Sequence, residues 1–121
     1  MFLRKKRRPK DGTYEVGIVG IRKHKSKNGN KGLITRFEVL PGNEDEGIIF
    51  ESRIPLNSNH PYPLIYKLID SLCDPYEAGI RIEEIIYRAC EIDVRVEGDY
   101  INIVDIRRLN HEDWEGYYEG E

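Results

Sequence analysis

The sequence predicts a mainly β fold, a small five-stranded barrel with one helix between the third and fourth strands. Three observations carry that expectation. Near the N-terminal end, three runs alternate apolar and polar residues with the period of two that half-buried strands require. The period then changes to that of a helix, and after it two further alternating runs meet at Gly98-Asp99. At 121 residues the chain reads as one folded domain, long enough to bury a core without staples.

In the first strand Tyr14, Val16 and Ile18 alternate with Glu15 and Gly17. In the second, Leu33, Thr35, Phe37 and Val39 alternate with Ile34, Arg36 and Glu38. Between them Lys23, His24, Lys25, Lys27 and Lys31 surround Asn28-Gly29-Asn30, where Asn and Gly accept the positive φ that lets a chain reverse. These lysines serve no apolar core, and crowding them on one tip costs mutual repulsion unless an anion relieves it. Pro41 to Gly47 is a polar turn, and Ile48 to Ile54 is the third strand, with Ile48, Phe50 and Ile54 opposite Glu51 and Arg53. Pro55 to Pro63 reads as a loop.

Leu64, Ile65, Leu68, Ile69 and Leu72 then mark one face of a helix of about ten residues, with Tyr66, Lys67, Asp70 and Ser71 outside and Asp74-Pro75 as the stop. Ile82, Ile85 and Ile86 suggest a further helical turn. Cys90, Ile92, Val94 and Val96 alternate with Glu91, Asp93, Arg95 and Glu97 as the fourth strand. Its partner runs from Tyr100 to Leu109, where Ile101 and Ile103 are out of phase with Val104 and Ile106; a bulge near Ile103 reconciles them.

Two flanking segments differ from this barrel of residues 13–109. Residues 1–12 form a basic arm with five consecutive Arg and Lys, and residues 110–121 an acidic, aromatic tail. The net charge of −3 conceals an asymmetry: twelve of the nineteen basic residues lie in residues 1–36, beside only Asp11 and Glu15. That distribution points to an anionic partner for one end of the chain. No apolar run is long enough for a membrane span or follows the basic cluster as a secretory signal would, so a cytoplasmic location is expected. Cys73 and Cys90 are far apart, and His24, His60 and His111 lack ligand spacing, so neither a disulfide nor a metal is expected. Nucleophile-elbow, phosphate-loop and nuclease-type carboxylate motifs are missing, and neither catalysis nor a cofactor is expected.

Three strands, a helix and two strands is the order of the five-stranded oligonucleotide/oligosaccharide-binding (OB) barrel, whose ligands cross strands two and three between the loops joining strands one to two and four to five. On that layout Lys23, Lys25, Lys27, Asn28, Lys31, Arg36 and Arg53 line a positive groove. Stacking candidates are Tyr100, Tyr62, Tyr14, Phe37 and Phe50, of which the two phenylalanines follow core parity and Tyr100 is the better placed.

The segments GTYEVGIVGI, SKNGNKGLITRFEVLPG, IYKLIDSL, ACEIDVRV and YINIVDI together resemble a phage- and prophage-encoded family of small OB-fold proteins grouped with single-stranded-DNA-binding or recombination-associated proteins. The resemblance covers roughly residues 12–109 and is most recognisable at Ser26-Lys27-Asn28-Gly29. It implies a non-catalytic role in replication or recombination through single-stranded DNA. The acidic tail is similar in composition to tails that compete with DNA and recruit replication or recombination proteins. The rival reading is a protein-interaction module acting through that tail and the helix.

Overall fold

The computed structural model describes residues 1, 3, 7–57, 59–74 and 76–109. The expected tail, 110–121, lies outside the described residues. Five strands and two helices follow in the order β1 (Gly12–Lys25), β2 (Lys31–Val39), β3 (Ile49–Pro55), α1 (Leu64–Leu72), α2 (Ile82–Ile85), β4 (Ala89–Glu97) and β5 (Tyr100–Arg107). All pairings are antiparallel, and the strands lie side by side as β3-β2-β1-β4-β5.

β1 organises the sheet because it serves two partners in turn. Its first half, from Gly12 to Gly17, pairs with β4, and from Val16 onward it pairs with β2. The register slips between Ile18 and Gly20, so Val19 is a bulge. Such an insertion bends and twists a strand, which lets β1 pass from one half of the sheet to the other. A second bulge lies in β5, where Val94 faces Ile103 but Asp93 faces Asp105. This is the phase change expected near Ile103: Ile103 and Ile106 are buried, and Val104 is left 46% exposed.

The expected closed barrel does not form. The sheet is five-stranded and antiparallel, but among the described residues no ladder joins its edges; β3 and β5 meet where the Ser52 hydroxyl donates to the Ile101 carbonyl at 2.8 Å. Beside that contact the chain ahead of β1 lines the seam: Arg7, Arg8 and Pro9 share a cleft of about 550 Å³ with Ile49, Phe50 and Ile101. Residues from outside the sheet thus flank the seam between β3 and β5.

Inside the curved sheet, Val16, Ile18, Phe37, Val39, Ile54, Leu68, Cys90 and Ile92 are fully buried. Phe37 packs on Phe50 at 5.6 Å between ring centroids, and truncating such a ring costs about 3–5 kcal/mol. Helix α1 closes one side, packed chiefly on β5. Ser71, expected on its outer face, is buried instead, its hydroxyl donating to the Leu68 carbonyl at 2.7 Å. Among the described residues no helix is long and apolar enough to cross a membrane.

Candidate nucleic-acid interface

The basic tip is more strand than loop. Lys23, His24 and Lys25 continue β1 and Lys31 opens β2, paired as Lys23↔Leu33, His24↔Gly32 and Lys25↔Lys31. Only Ser26 to Asn30 reverse the chain: the Ser26 amide donates to the Asn30 carbonyl and the Gly29 amide to the Ser26 carbonyl, each at 2.9 Å. The Ser26 hydroxyl accepts from the Asn30 amide at 3.1 Å, and Gly29 takes φ 84°. Lys27 and Asn28 stand exposed on this turn. Lys25 and Lys31 are direct cross-strand neighbours, a pairing of like charges that works against the hairpin. Among the described residues, none of Lys23, Lys25, Lys27 and Lys31 is paired with a carboxylate.

The other two expected groove residues lie on a different face. Residues paired across antiparallel strands share a face. Lys23, Lys25 and Lys31 therefore continue the side that carries buried Leu33 and Ile54, beyond the end of the core. Arg36 and Arg53 share the outer face with Arg22, His24 and Glu51. The bulge at Val19 puts Lys23 and Lys25 on that side, because it reverses the parity of everything after it on β1, whereas Lys31 is there by its alternation with Leu33 on β2. Nor are these two arginines free. Arg36 is bonded to Glu51 at 3.2 Å, with Arg22 4.0 Å from the same carboxylate.

Arg53 acts as a clamp on the tip. Its Nε donates to His24 Nδ1 at 3.2 Å and its Nη2 to the Asn30 carbonyl at 2.9 Å. The guanidinium crosses directly over Gly32, where a Cβ would come within 2.7 Å of its Cζ. Glycine leaves room for this close approach, and any larger residue would displace the guanidinium.

Two residues outside the expected groove add charge beside Arg36. Arg7 donates to the Glu46 carbonyl at 3.2 Å and Arg8 to the Gly98 carbonyl at 2.9 Å, so the arm crosses from the β2–β3 turn to the β4–β5 turn. Pro9 is buried, and Asp11 accepts from the Val96 amide at 2.6 Å. Arg7, Arg8 and Arg36 thus converge on the seam cleft, opposed by Glu51 and by Asp99, which lies 3.9 Å from Arg8. The run of basic residues was visible in the sequence, but its docking depends on backbone carbonyls tens of residues away.

The aromatic candidates divide cleanly. Phe37, Phe50 and Tyr14 belong to the core, the Tyr14 hydroxyl also accepting from the Lys10 amide at 2.9 Å. Tyr100 is 75% exposed at the β4–β5 turn, next to the seam cleft. Tyr62 stacks on Tyr66 at 6.4 Å beside α1 and shares a cleft with Pro55, the strand partner of Gly32.

Three carboxylates of β4 and β5, Glu91, Asp93 and Asp105, are held by cations. Arg107 forks onto both oxygens of Asp93 at 2.8 and 2.9 Å and also reaches Glu91, while Lys67 bonds Asp105 at 2.8 Å. The Arg107 fork, helped by the Thr13 hydroxyl, holds the Asp93 carboxyl down to about 2. Burial pushes the Cys90 thiol up to about 12. Neither group is poised for proton transfer near neutral pH. In comparisons with known proteins, the chain matches no family model and no curated sequence.

Proposed function

We propose that this chain is a non-catalytic single-stranded nucleic-acid-binding protein of OB-like layout, supporting phage-type DNA replication or recombination. The carrying observation is the set of four lysines at the β1–β2 tip, held close together and without carboxylate partners among the described residues. Phosphates would relieve that repulsion at no cost in broken ion pairs. The strand neighbours, the helix between β3 and β4, and the approach of β3 to β5 support the OB layout. A duplex contact that puts a helix in the groove is disfavoured. Helix α1 carries one cation, Lys67, already bonded to Asp105, so it offers nothing with which to enter a groove.

The test is the variant Lys25→Gln/Lys27→Gln/Lys31→Gln, titrated with labelled oligo-dT across salt. Each phosphate contact contributes about −0.7 to the log-log salt slope on single strands, so four lysines give about −2.8 and the variant about −0.7. An unchanged slope removes the tip from the interface. The interaction-module reading keeps one specific support: exposed Tyr62, Tyr66 and Val104 near α1, around a cleft of about 240 Å³. It predicts partner capture that ignores the three lysines.

A further inference from the structure

The segment between α2 and β4 contains a residue at odds with its backbone. Residues 85–88 form a type II turn: Ile86 has φ −58° and ψ 133°, Tyr87 has φ 72°, and the Arg88 amide donates to the Ile85 carbonyl at 3.0 Å. The third position of that turn requires positive φ and ordinarily takes glycine or asparagine. Among the described residues Tyr87 is the one non-glycine with positive φ. Its side chain does not compensate for the strain within the fold. The residue is 86% exposed, and among the described residues its hydroxyl and ring make no hydrogen bond or ring contact.

The root of the ring is nevertheless held firmly. The Tyr87 amide donates to the Ile18 carbonyl at 2.7 Å, and the Ile18 amide donates to the Arg88 carbonyl at 2.9 Å. These two bonds terminate the β1–β4 ladder, whose last paired residues are Gly17 and Ala89. Beyond Ile18, β1 keeps β2 on one side, and its other edge runs on without a ladder among the described residues to Lys23 and Lys25. Lys23 is five residues further, roughly 16 Å along the strand. An anchored, outward aromatic ring therefore stands at one end of an open strand edge, and the lysines without carboxylate partners among the described residues stand at the other. A positive track with an aromatic face beside it is what a single strand needs, because phosphates take the cations and any base can stack.

We infer that Tyr87 is a stacking platform for a nucleobase of a strand whose phosphates engage the lysine tip. The inference rests on the single-strand reading above and adds a residue that the groove of β2 and β3 does not include. It accounts for both oddities: the strained turn projects the ring, and the ligand covers it.

The test compares full-length wild type, Tyr87→Gly, Tyr87→Phe and the triple lysine variant, using anisotropy of a labelled oligo-dT of about 16 nucleotides at low salt, together with thermal unfolding. Tyr87→Gly relieves the backbone and should raise the melting temperature by about 4 °C or more. It should also weaken oligo-dT about 5- to 150-fold, the loss of one stacked base. Tyr87→Phe keeps the aromatic face and should bind as wild type does. A Tyr87→Gly protein that binds normally, while the lysine variant does not, overturns the role of Tyr87 and leaves the single-strand reading standing. A lower melting temperature for Tyr87→Gly also overturns it, since the ring would then be supporting the fold. Wild type that does not bind oligo-dT at all removes both.

Discussion

Replacing Gly32 with alanine tests whether Arg53 organises the basic tip. The new Cβ would lie 2.7 Å from Arg53 Cζ, 2.8 Å from Nε and 2.9 Å from Nη2, closer than a Cβ packs, so the guanidinium must swing away. It then gives up its bonds to His24 and to the Asn30 carbonyl. At this exposed site each is worth about 0.5–1.5 kcal/mol net. Against that, alanine in a strand is favoured over glycine by about 0.5–1 kcal/mol. The balance is a destabilisation of about 1 kcal/mol, measured as a lower urea midpoint at unchanged slope. The decisive assay is the double-mutant cycle with Arg53→Ala. Without the guanidinium the clash is gone and only the backbone gain remains, so Gly32→Ala should become neutral or stabilising by about 0.5 kcal/mol. An equal cost in both backgrounds would refute the clamp. With the clamp working as described, Gly32→Ala should also weaken oligo-dT severalfold, although it removes no charge.

Two further predictions concern the rest of the sheet. The Asp93 carboxyl sits at about 2 in the fold against an ordinary 3.8, so its contribution to stability is complete above about 4 and is lost as the pH falls through about 2. Full linkage would make this roughly 2.5 kcal/mol, which solvent screening of a part-exposed pair reduces to about 1. Urea midpoints between pH 5 and 2 should show that loss in wild type and a flatter profile in Arg107→Met. The β5 bulge predicts opposite fates for neighbours: Ile103→Asp buries a charge and should cost about 3 kcal/mol or more, whereas Val104→Asp on the exposed side should cost under about 1. Similar costs at both positions would place the bulge elsewhere.

Local patterns carried much of the fold. Alternation placed the five strands, the apolar face placed α1, and the clash of phase between Ile103 and Val104 located a bulge before any coordinates. What was not legible depended on partners distant in the sequence. Arg22 to Lys25 is charged and reads as loop, yet pairing with residues 31–34 extends β1 through it. The Val19 bulge moved Lys23 and Lys25 to the face opposite Arg36 and Arg53; the three-residue spacing from Ile18 to Ile21 was the available signal. The docking of the arm depends on Arg7 and Arg8 finding carbonyls at Glu46 and Gly98, which no local pattern encodes. Tyr87 gave no warning at all, since glycine is the residue its turn calls for.

The central claim is that the lysine tip holds single-stranded nucleic acid. Anisotropy of wild type with labelled oligo-dT and with duplex DNA of equal length, each at about 50 and 200 mM salt, tests it most directly. The account predicts preference for the single strand and a loss of affinity of about 50-fold between the two salts, from four contacts at −0.7 each. Equal or tighter binding of the duplex, or no binding of oligo-dT at the lower salt, would contradict it.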